Sequence, residues 1–277
     1  GGKLIELIDS RSRSRPGSRK VDVNLTPTVY LAVFSSDPQY VAAADYDQLG
    51  TVAPLPVGGF SNTEITDHAG DWAAYAASKY GSLPAGSRVY LELEAFIHAD
   101  SSSAAVASLI NDTKAALPDC LVGTYFLPIT DFGAVGGGRE ASIEAANDSY
   151  ASAIAAGHWR GPDFYQMAWL PPPSTAEYNW NVNECLRVQA GKPMAPFITH
   201  THATGGALTT RAEFVAILSA IRRGRIDQLT LWANIDSAQA GTDFVAQLPV
   251  IGNAISAVWQ RTPARARGRF RSRGRMV

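Results

Sequence analysis

Short apolar runs alternate with longer amphipathic segments along most of the chain, from about residue 28 to residue 260. The short runs are rich in β-branched and aromatic residues and have Gly, Pro, Asp or Ser nearby, which is typical of β-strands. The pattern predicts seven strands, at residues 28–36, 51–59, 88–96, 121–129, 163–171, 193–202 and 228–236.

The segments between these strands are predicted to be helical, because their apolar residues recur at three- and four-residue steps. They include DWAAYAASKYG, SSAAVASLINDTKAALP, REASIEAANDSYASAIAAG and TTRAEFVAILSAIRRGR. The last of these begins with Thr, carries Glu213 in its first turn and ends in arginines, which suits the polarity of a helix.

Repeated strand–helix units indicate parallel strands covered by helices. An open doubly wound sheet is the alternative, but no GxGxxG follows the first strand and no phosphate-binding P-loop is present. We therefore predict an α/β fold, a TIM-like (β/α) barrel that is distorted and has seven parallel strands. The barrel domain is placed at residues 28–260, between irregular basic segments at 1–27 and 261–277.

Composition supports a globular protein, since 46% of residues are hydrophobic and 18% are charged. No apolar run reaches the length of a membrane span, and KLIELIDSRSRSR does not have the pattern of a signal peptide. Cys120 and Cys185 are expected to be buried free thiols, although a single bridge between them is the alternative. No cofactor is expected.

Positive charge is concentrated in RSRSRPGSRK (11–20) and RTPARARGRFRSRGRMV (261–277), although the net charge of the chain is −1. Such segments can bind nucleic acid or another polyanion. The simpler interpretation is a solvated tail or a strip that contacts other protein subunits in an assembly. We favour this second interpretation and do not expect nucleic acid as a partner.

Two glutamates stand in the third predicted strand, RVYLELEAF. If Val89, Leu91 and Leu93 face the helices, the alternation of a barrel strand directs Glu92 and Glu94 inward. Two nearby carboxylates repel each other, so one should hold a proton near neutral pH, as the acid of a glycosidase must. The alternative is a buried polar pair that a basic side chain or water neutralises.

Aromatic and polar residues gather near the ends of other strands, where barrel active sites lie. A sugar has apolar C–H faces and a rim of hydroxyl groups, so such a set suits a carbohydrate. For each aromatic taken alone, core packing is the simpler explanation. The candidate substrate-binding residues are Tyr90, Tyr125, Asp131, Tyr165, Trp169, Trp232, Asn234 and Asp236.

A metal site is the weaker alternative. His200 and His202 in THTHA share one face and, together with Asp236 and Glu94, could bind a divalent metal ion. However, no further His or Lys stands on the strands where such barrels place theirs. We therefore predict no metal.

The order of motifs resembles hyaluronidase-like glycosidases (glycoside hydrolase family 56). VYLELEAF is similar to their strand that ends in Asp-x-Glu, and VGGFSNTEITDHAGDWAAY to the loop and helix before it. GTYFLP, ECLRVQAGKPMAPFI and LTLWAN resemble later segments of that family. The resemblance covers roughly residues 28–260 and implies a distorted seven-stranded barrel.

The resemblance also implies roles for residues. Glu94 would be the proton donor, and Glu92 would orient the acetamido group of the substrate, which itself attacks the anomeric carbon. Trp232 would line the sugar subsite, and Trp169 stands where the family tends to have Tyr. Glu92 replaces an Asp, and the disulfide cysteines of the family are missing at matching places. Chitinase-like barrels share the logic of a carboxylate pair, but YQMAWL lacks the Asp of their corresponding strand.

We therefore expect a retaining endo-glycosidase that acts on a polysaccharide containing N-acetylhexosamine. The alternative from a different class is a non-catalytic barrel, a structural or glycan-binding module in a larger assembly such as a virion or a cell-surface complex. A metal-dependent hydrolase using His200, His202 and Asp236 is the third hypothesis.

Overall fold

The computed structural model describes residues 26–99, 101–164, 173–201 and 207–260, and in these ranges every pairing between strands is parallel. The strands are β1 (Thr28–Ser35), β2 (Thr51–Val52), β3 (Val57–Phe60), β4 (Arg88–Glu92), β5 (Leu121–Tyr125), β6 (Trp159–Gly161), β7 (Phe197–Thr199) and β8 (Gln228–Ile235). The α-helices are α1 (Asn62–Asp67), α2 (Trp72–Tyr80), α3 (Glu94–His98), α4 (Ser103–Ala116), α5 (Glu140–Ser149), α6 (Ala151–Ala156), α7 (Thr175–Val188), α8 (Arg211–Arg223) and α9 (Ala238–Trp259). Two 3₁₀ helices, Pro38–Val41 and Tyr46–Leu49, follow β1.

The strands follow one another around a barrel in chain order. Hydrogen bonds join them into two sheets, with the orders β2-β1-β8-β7 and β3-β4-β5-β6. Isolated parallel bridges, from Arg160 to Met194 and from Asp163 to Phe197, connect the β6 and β7 sides. The predicted strand 51–59 is divided into β2, which pairs with β1, and β3, which pairs with β4. The α/β barrel prediction is therefore confirmed, although the described ladder is not one continuous closed sheet.

Several strand boundaries differ from the prediction. The predicted strand 88–96 ends at Glu92, and the predicted strand 121–129 ends at Tyr125 because Phe126 adopts a positive φ of 75°. The fifth predicted strand, 163–171, corresponds to β6, which begins at Trp159, four residues before the predicted start. The chain turns earlier than predicted, at Gly157 at the end of α6. The rest of that predicted strand, from residue 165 onward, lies outside the described residues.

Aromatic side chains from alternate strand positions fill the barrel interior. The buried members of this interior cluster are Ala32, Val57, Tyr90, Trp159, Ala195 and Phe197, with Tyr30, Phe34, Tyr125 and Trp232 packed against them. Three interior rings lie over glycines, where an added Cβ would be 2.2–2.3 Å from the ring. These pairs are Gly59 with Tyr90, Gly123 with Trp159 and Gly161 with Phe197. Small residues thus make room for large ones, as in other small barrels.

Helices cover the outside of the strands through two larger apolar clusters. One is built mainly from α7, α8, α9 and β8, and the other from α2, α4, β4 and β5. Cys120 and Cys185 are buried free thiols, as predicted. No helix in the described ranges combines the length and the apolar composition of a membrane span. The basic segments predicted at 1–27 and 261–277 lie outside the described residues, apart from Thr26 and Pro27.

Candidate active site at the end of strand β4

Glu92 and Glu94 lie at the C-terminal end of β4, but on different elements. Glu92 is the last residue of the strand and pairs with Tyr125 of β5. Leu93 leaves the extended conformation, with φ −108° and ψ 1°, and Glu94 is the first residue of helix α3. The predicted strand alternation therefore holds for Glu92 and fails for Glu94. Both glutamates are partly exposed to solvent.

The surroundings of the two carboxyl groups differ. Burial raises the pKa of Glu92, a hydrogen bond from the Asn62 backbone N–H (3.3 Å) opposes the shift, and the charges of Glu94 and Glu64 add to it. Glu94 has 41% of its side chain exposed, and its Oε1 lies 3.6 Å from Nε2 of His98. Burial therefore favours the protonated form of Glu92.

A hydrogen-bonded network around Glu64 fixes helix α1 beside Glu92. Ser61 and Glu64 form a capping box, in which each side chain bonds the backbone N–H of the other. Lys79 and Tyr75 also donate to Oε1 of Glu64. Burial of the Glu64 carboxylate opposes its ionisation, but the hydrogen bonds from Lys79, Tyr75 and Ser61 outweigh this effect and lower its pKa to about 2.

This network is expected to make the protein sensitive to acid. The pKa of Glu64 falls from an ordinary value of 4.5 to about 2, so its stabilising contribution is present above pH 4.5 and is lost as the pH decreases toward 2. Glu64→Gln should therefore flatten the loss of unfolding free energy between about pH 5 and about pH 2, as measured by urea titrations. The matched control is Glu177→Gln, at the same capping-box position of α7, where the described hydrogen bonds are to Ser174. Equal pH slopes for Glu64→Gln and the parent chain would contradict this role.

Three of the predicted substrate-binding residues meet inside the barrel. Tyr90 is buried, and burial raises its pKa while a hydrogen bond from the Trp232 indole opposes the shift. Tyr125 and Tyr90 both present their rings edge-on to Phe197, with centroids 5.1 Å apart in each case. Tyr90 lies beneath Glu92, since it precedes Glu92 on the same face of β4, and Tyr125 lies beside Glu92 as its partner on β5.

The remaining polar candidates are more dispersed. Asn234 is exposed near the end of β8, and Asp236 is exposed just beyond that end. Asp131 uses Oδ1 to accept hydrogen bonds from the Gly133 N–H (2.9 Å) and the Arg139 guanidinium (3.0 Å), so it closes the glycine-containing loop after β5. Tyr165 and Trp169 lie outside the described residues.

Asp163 is a buried carboxyl group that the sequence analysis did not select. It follows β6, is 7% exposed and accepts a 2.5 Å hydrogen bond from the Thr130 hydroxyl group. Burial raises the pKa of Asp163 to about 6, and the charges of Glu94 and Asp131 raise it further. The hydrogen bonds from Thr130 and from the backbone of Asp163 act in the opposite direction. Its position at the start of a predicted strand gave no signal of this environment.

The metal hypothesis gains no support from the described residues. His200 is buried, its ring packs edge-on against Phe244 of α9, and burial lowers its pKa to about 4. Asp236 is exposed, and His202 is outside the described ranges. Within those ranges, no three His, Cys, Asp or Glu side chains come together in a way that could hold a metal ion.

Comparison with known proteins shows similarity of fold. No protein-family model matches the chain, and no curated protein matches its sequence. The solved structure of bee venom hyaluronidase is similar, with a TM-score of 0.55, 15% identity, and coverage of 82% of this chain and 87% of the hyaluronidase chain. Its complex with a hyaluronic acid tetramer gives a TM-score of 0.53 at 13% identity, covering 83% of this chain and 87% of the other.

A bacterial enzyme has a similar fold. The spore cortex-lytic enzyme SleL of Bacillus cereus gives a TM-score of 0.52 at 9% identity, covering 83% of this chain and 73% of the enzyme chain. At such low identities the likeness is one of fold alone. The chain therefore has an α/β barrel similar to those of the hyaluronidase and SleL, which confirms the distant glycosidase-like resemblance at the level of the fold.

Proposed function

We propose that the protein is a retaining endo-glycosidase that cleaves a polysaccharide containing N-acetylhexosamine. The observation that carries the proposal is the pair of partly exposed carboxyl groups, Glu92 and Glu94, at the C-terminal end of a barrel strand. Active sites of (β/α) barrels lie at this end. The solved complex of the similar hyaluronidase with a hyaluronic acid tetramer supports this class of substrate.

In the proposed reaction, the substrate supplies its own nucleophile. The acetamido oxygen attacks the anomeric carbon while Glu94 donates a proton to the glycosidic oxygen. The bond between the anomeric carbon and the glycosidic oxygen breaks. The Glu92 carboxylate accepts the acetamido N–H and stabilises the cyclic, positively charged intermediate. Water then attacks the anomeric carbon and gives a proton to Glu94, while the bond from that carbon to the acetamido oxygen breaks and the acetamido group is restored. Two displacements at the same carbon retain the configuration of the sugar.

The aromatic rings near Glu92 and the polar rim would hold the sugar. Tyr90 lies beneath Glu92 and Tyr125 lies beside it, and the ring of Trp232 would supply a flat apolar face for a sugar ring. The hydrogen-bonding groups proposed for the rim are those of Asp131, Asn234 and Asp236, with Tyr165 and Trp169 as further predicted contacts.

Glu92 and Glu94 are proposed to share one proton. Burial and the charge of Glu94 raise the pKa of Glu92, so we propose that Glu92 carries this proton in the free protein. Substrate binding would move it to Glu94, directly or through one water molecule. Activity should then decrease as the pH rises through the pKa of the pair, and this alkaline limb should lie above the ordinary glutamate value of 4.5.

The proposal is tested by reducing-sugar release from hyaluronan, chitin oligomers and peptidoglycan across a range of pH. We expect release from at least one of these polymers, with the alkaline limb described above. A folded protein that releases sugar from none of the three would count against the enzymatic proposal.

A non-catalytic glycan-binding or structural barrel is the second candidate. The observation that favours it is the position of Glu94 on α3, beside His98 and outside the strand, together with the longer side chain at position 92. Catalysis is sensitive to displacements of about 1 Å, so this arrangement could bind a sugar without cleaving it. Binding of one polymer by calorimetry, without any release of sugar, would select this candidate.

A further inference from the structure

We infer that Asn62 is a positioning residue that holds Glu92 and Glu94 in a fixed relation to each other. The inference rests on the proposed function, since it concerns the same two carboxyl groups. Asn62 is the first residue of α1 and follows β3, so it belongs to neither element that carries a glutamate. It nevertheless contacts both of those elements.

The backbone N–H of Asn62 donates to Oε2 of Glu92 at 3.3 Å. This bond stabilises the ionised form of Glu92 and opposes the effect of burial on its pKa. It also connects the end of β4 to the start of α1, 30 residues earlier in the chain.

The side chain of Asn62 makes the second connection. Its Oδ1 accepts a hydrogen bond from the backbone N–H of Ala95 at 3.2 Å. Ala95 follows Glu94 in the first turn of α3, where N–H groups have no partner within their own helix. The residue at the N-cap of α3 is Leu93, which has no side-chain acceptor. Asn62 therefore supplies the cap from a neighbouring helix.

Asn62 is itself held in place. Its backbone carbonyl oxygen accepts a 2.9 Å hydrogen bond from the Thr66 hydroxyl group. The preceding residue, Ser61, is fixed by the capping box with Glu64. Lys79 and Tyr75 hold Glu64 from α2. One network thus reaches from α2 through α1 to the Glu92 carboxylate and to the backbone of Ala95, the residue after Glu94, and the side-chain amide of Asn62 makes the contact with α3.

Asn62→Ala removes the acceptor for Ala95 but keeps the backbone N–H that bonds Glu92. We expect the amide hydrogen of Ala95 to exchange about tenfold faster, and kcat to fall about tenfold with KM within about twofold. The pKa of Glu92, followed by carboxyl carbon NMR, should rise further as its bond to Asn62 loosens. Asn62→Asp keeps the acceptor and should restore slow exchange at Ala95.

Asn179→Ala on α7 is the matched control, because its side chain accepts a hydrogen bond from Arg223 on the outside of the barrel. It should leave Ala95 exchange, the pKa of Glu92 and kcat unchanged. Unchanged exchange of Ala95 in Asn62→Ala would overturn the inference, as would faster exchange without a change in the pKa of Glu92. If the parent chain hydrolyses no polymer, the proposed function fails, while exchange and the pKa of Glu92 still decide whether Asn62 positions the pair.

Discussion

Glu94→Gln is expected to reduce the rate of polysaccharide cleavage by about a thousandfold, with KM within about threefold of the parent value. Glutamine keeps the shape of the side chain and its place at the start of α3, but it cannot give a proton to the leaving oxygen. Proton transfer by a positioned side chain contributes about 10²–10⁴ in rate, so the loss should appear in kcat. Initial rates of reducing-end formation measure it directly.

Two comparisons show whether the loss is one of acid catalysis. Glu140→Gln changes the first residue of α5, the same helical position on another helix, and should leave kcat unchanged. An aryl glycoside has a leaving group that needs little protonation. Glu94→Gln should therefore cleave it at a rate close to that of the parent chain. If Glu94→Gln retains full activity on the polymer, the acid must be another group. Glu92 and Asp163, the carboxyl groups with raised pKa values in the described part of the chain, would then be the next candidates.

The barrel could be predicted from the sequence because its strands are short apolar runs separated by helical segments. The long first and last strands match best, since both are rich in apolar residues over eight positions. β6 was misplaced because Trp-Arg-Gly does not resemble a buried strand. Arg160 has no exposed surface, and its guanidinium donates to the carbonyl groups of Gly157 and Trp159 at 3.0 Å. Only Nη1 of this guanidinium makes those bonds, while Nε and Nη2 are buried without a hydrogen-bond partner. An apolar pattern cannot predict a strand that buries such a charge.

Only the part of the site that depends on the alternation along one strand could be predicted from the sequence. Alternation along β4 correctly directs Tyr90 and Glu92 into the barrel, but it could not show that the strand ends before Glu94. Leu93 is fully buried at the first position of the turn, so it matches the apolar pattern of a continuing strand. Asn62 and Asp163 could not be predicted for a different reason, because their roles depend on partners about thirty residues away in the chain. The roles assigned to Tyr165, Trp169 and His202 stay predictions.

Gly123→Ala is expected to destabilise the barrel strongly, lowering the free energy of unfolding by about 3 kcal/mol. The new Cβ would lie 2.3 Å from the Trp159 ring, closer than any real contact. That ring cannot move away easily. It is 1% exposed, its indole N–H donates to the Leu121 carbonyl at 2.8 Å, and Arg88 lies over its face. Urea unfolding followed by circular dichroism gives the change in stability.

The expected loss comes from space and not from backbone strain, because Gly123 lies in strand β5 and has no positive φ. Gly70→Ala is therefore the matched control: no atom lies within 4 Å of its added Cβ, and its stability should stay within about 0.5 kcal/mol of the parent. Reducing Trp159 to Leu should recover part of the loss in the double variant, because the two side chains then no longer compete for one volume. Equal stabilities of Gly123→Ala and Gly70→Ala would mean that the aromatic interior has room to repack. In that case the aromatic interior, which includes Tyr90 and Trp159, would not be the rigid support that precise positioning of the two glutamates requires.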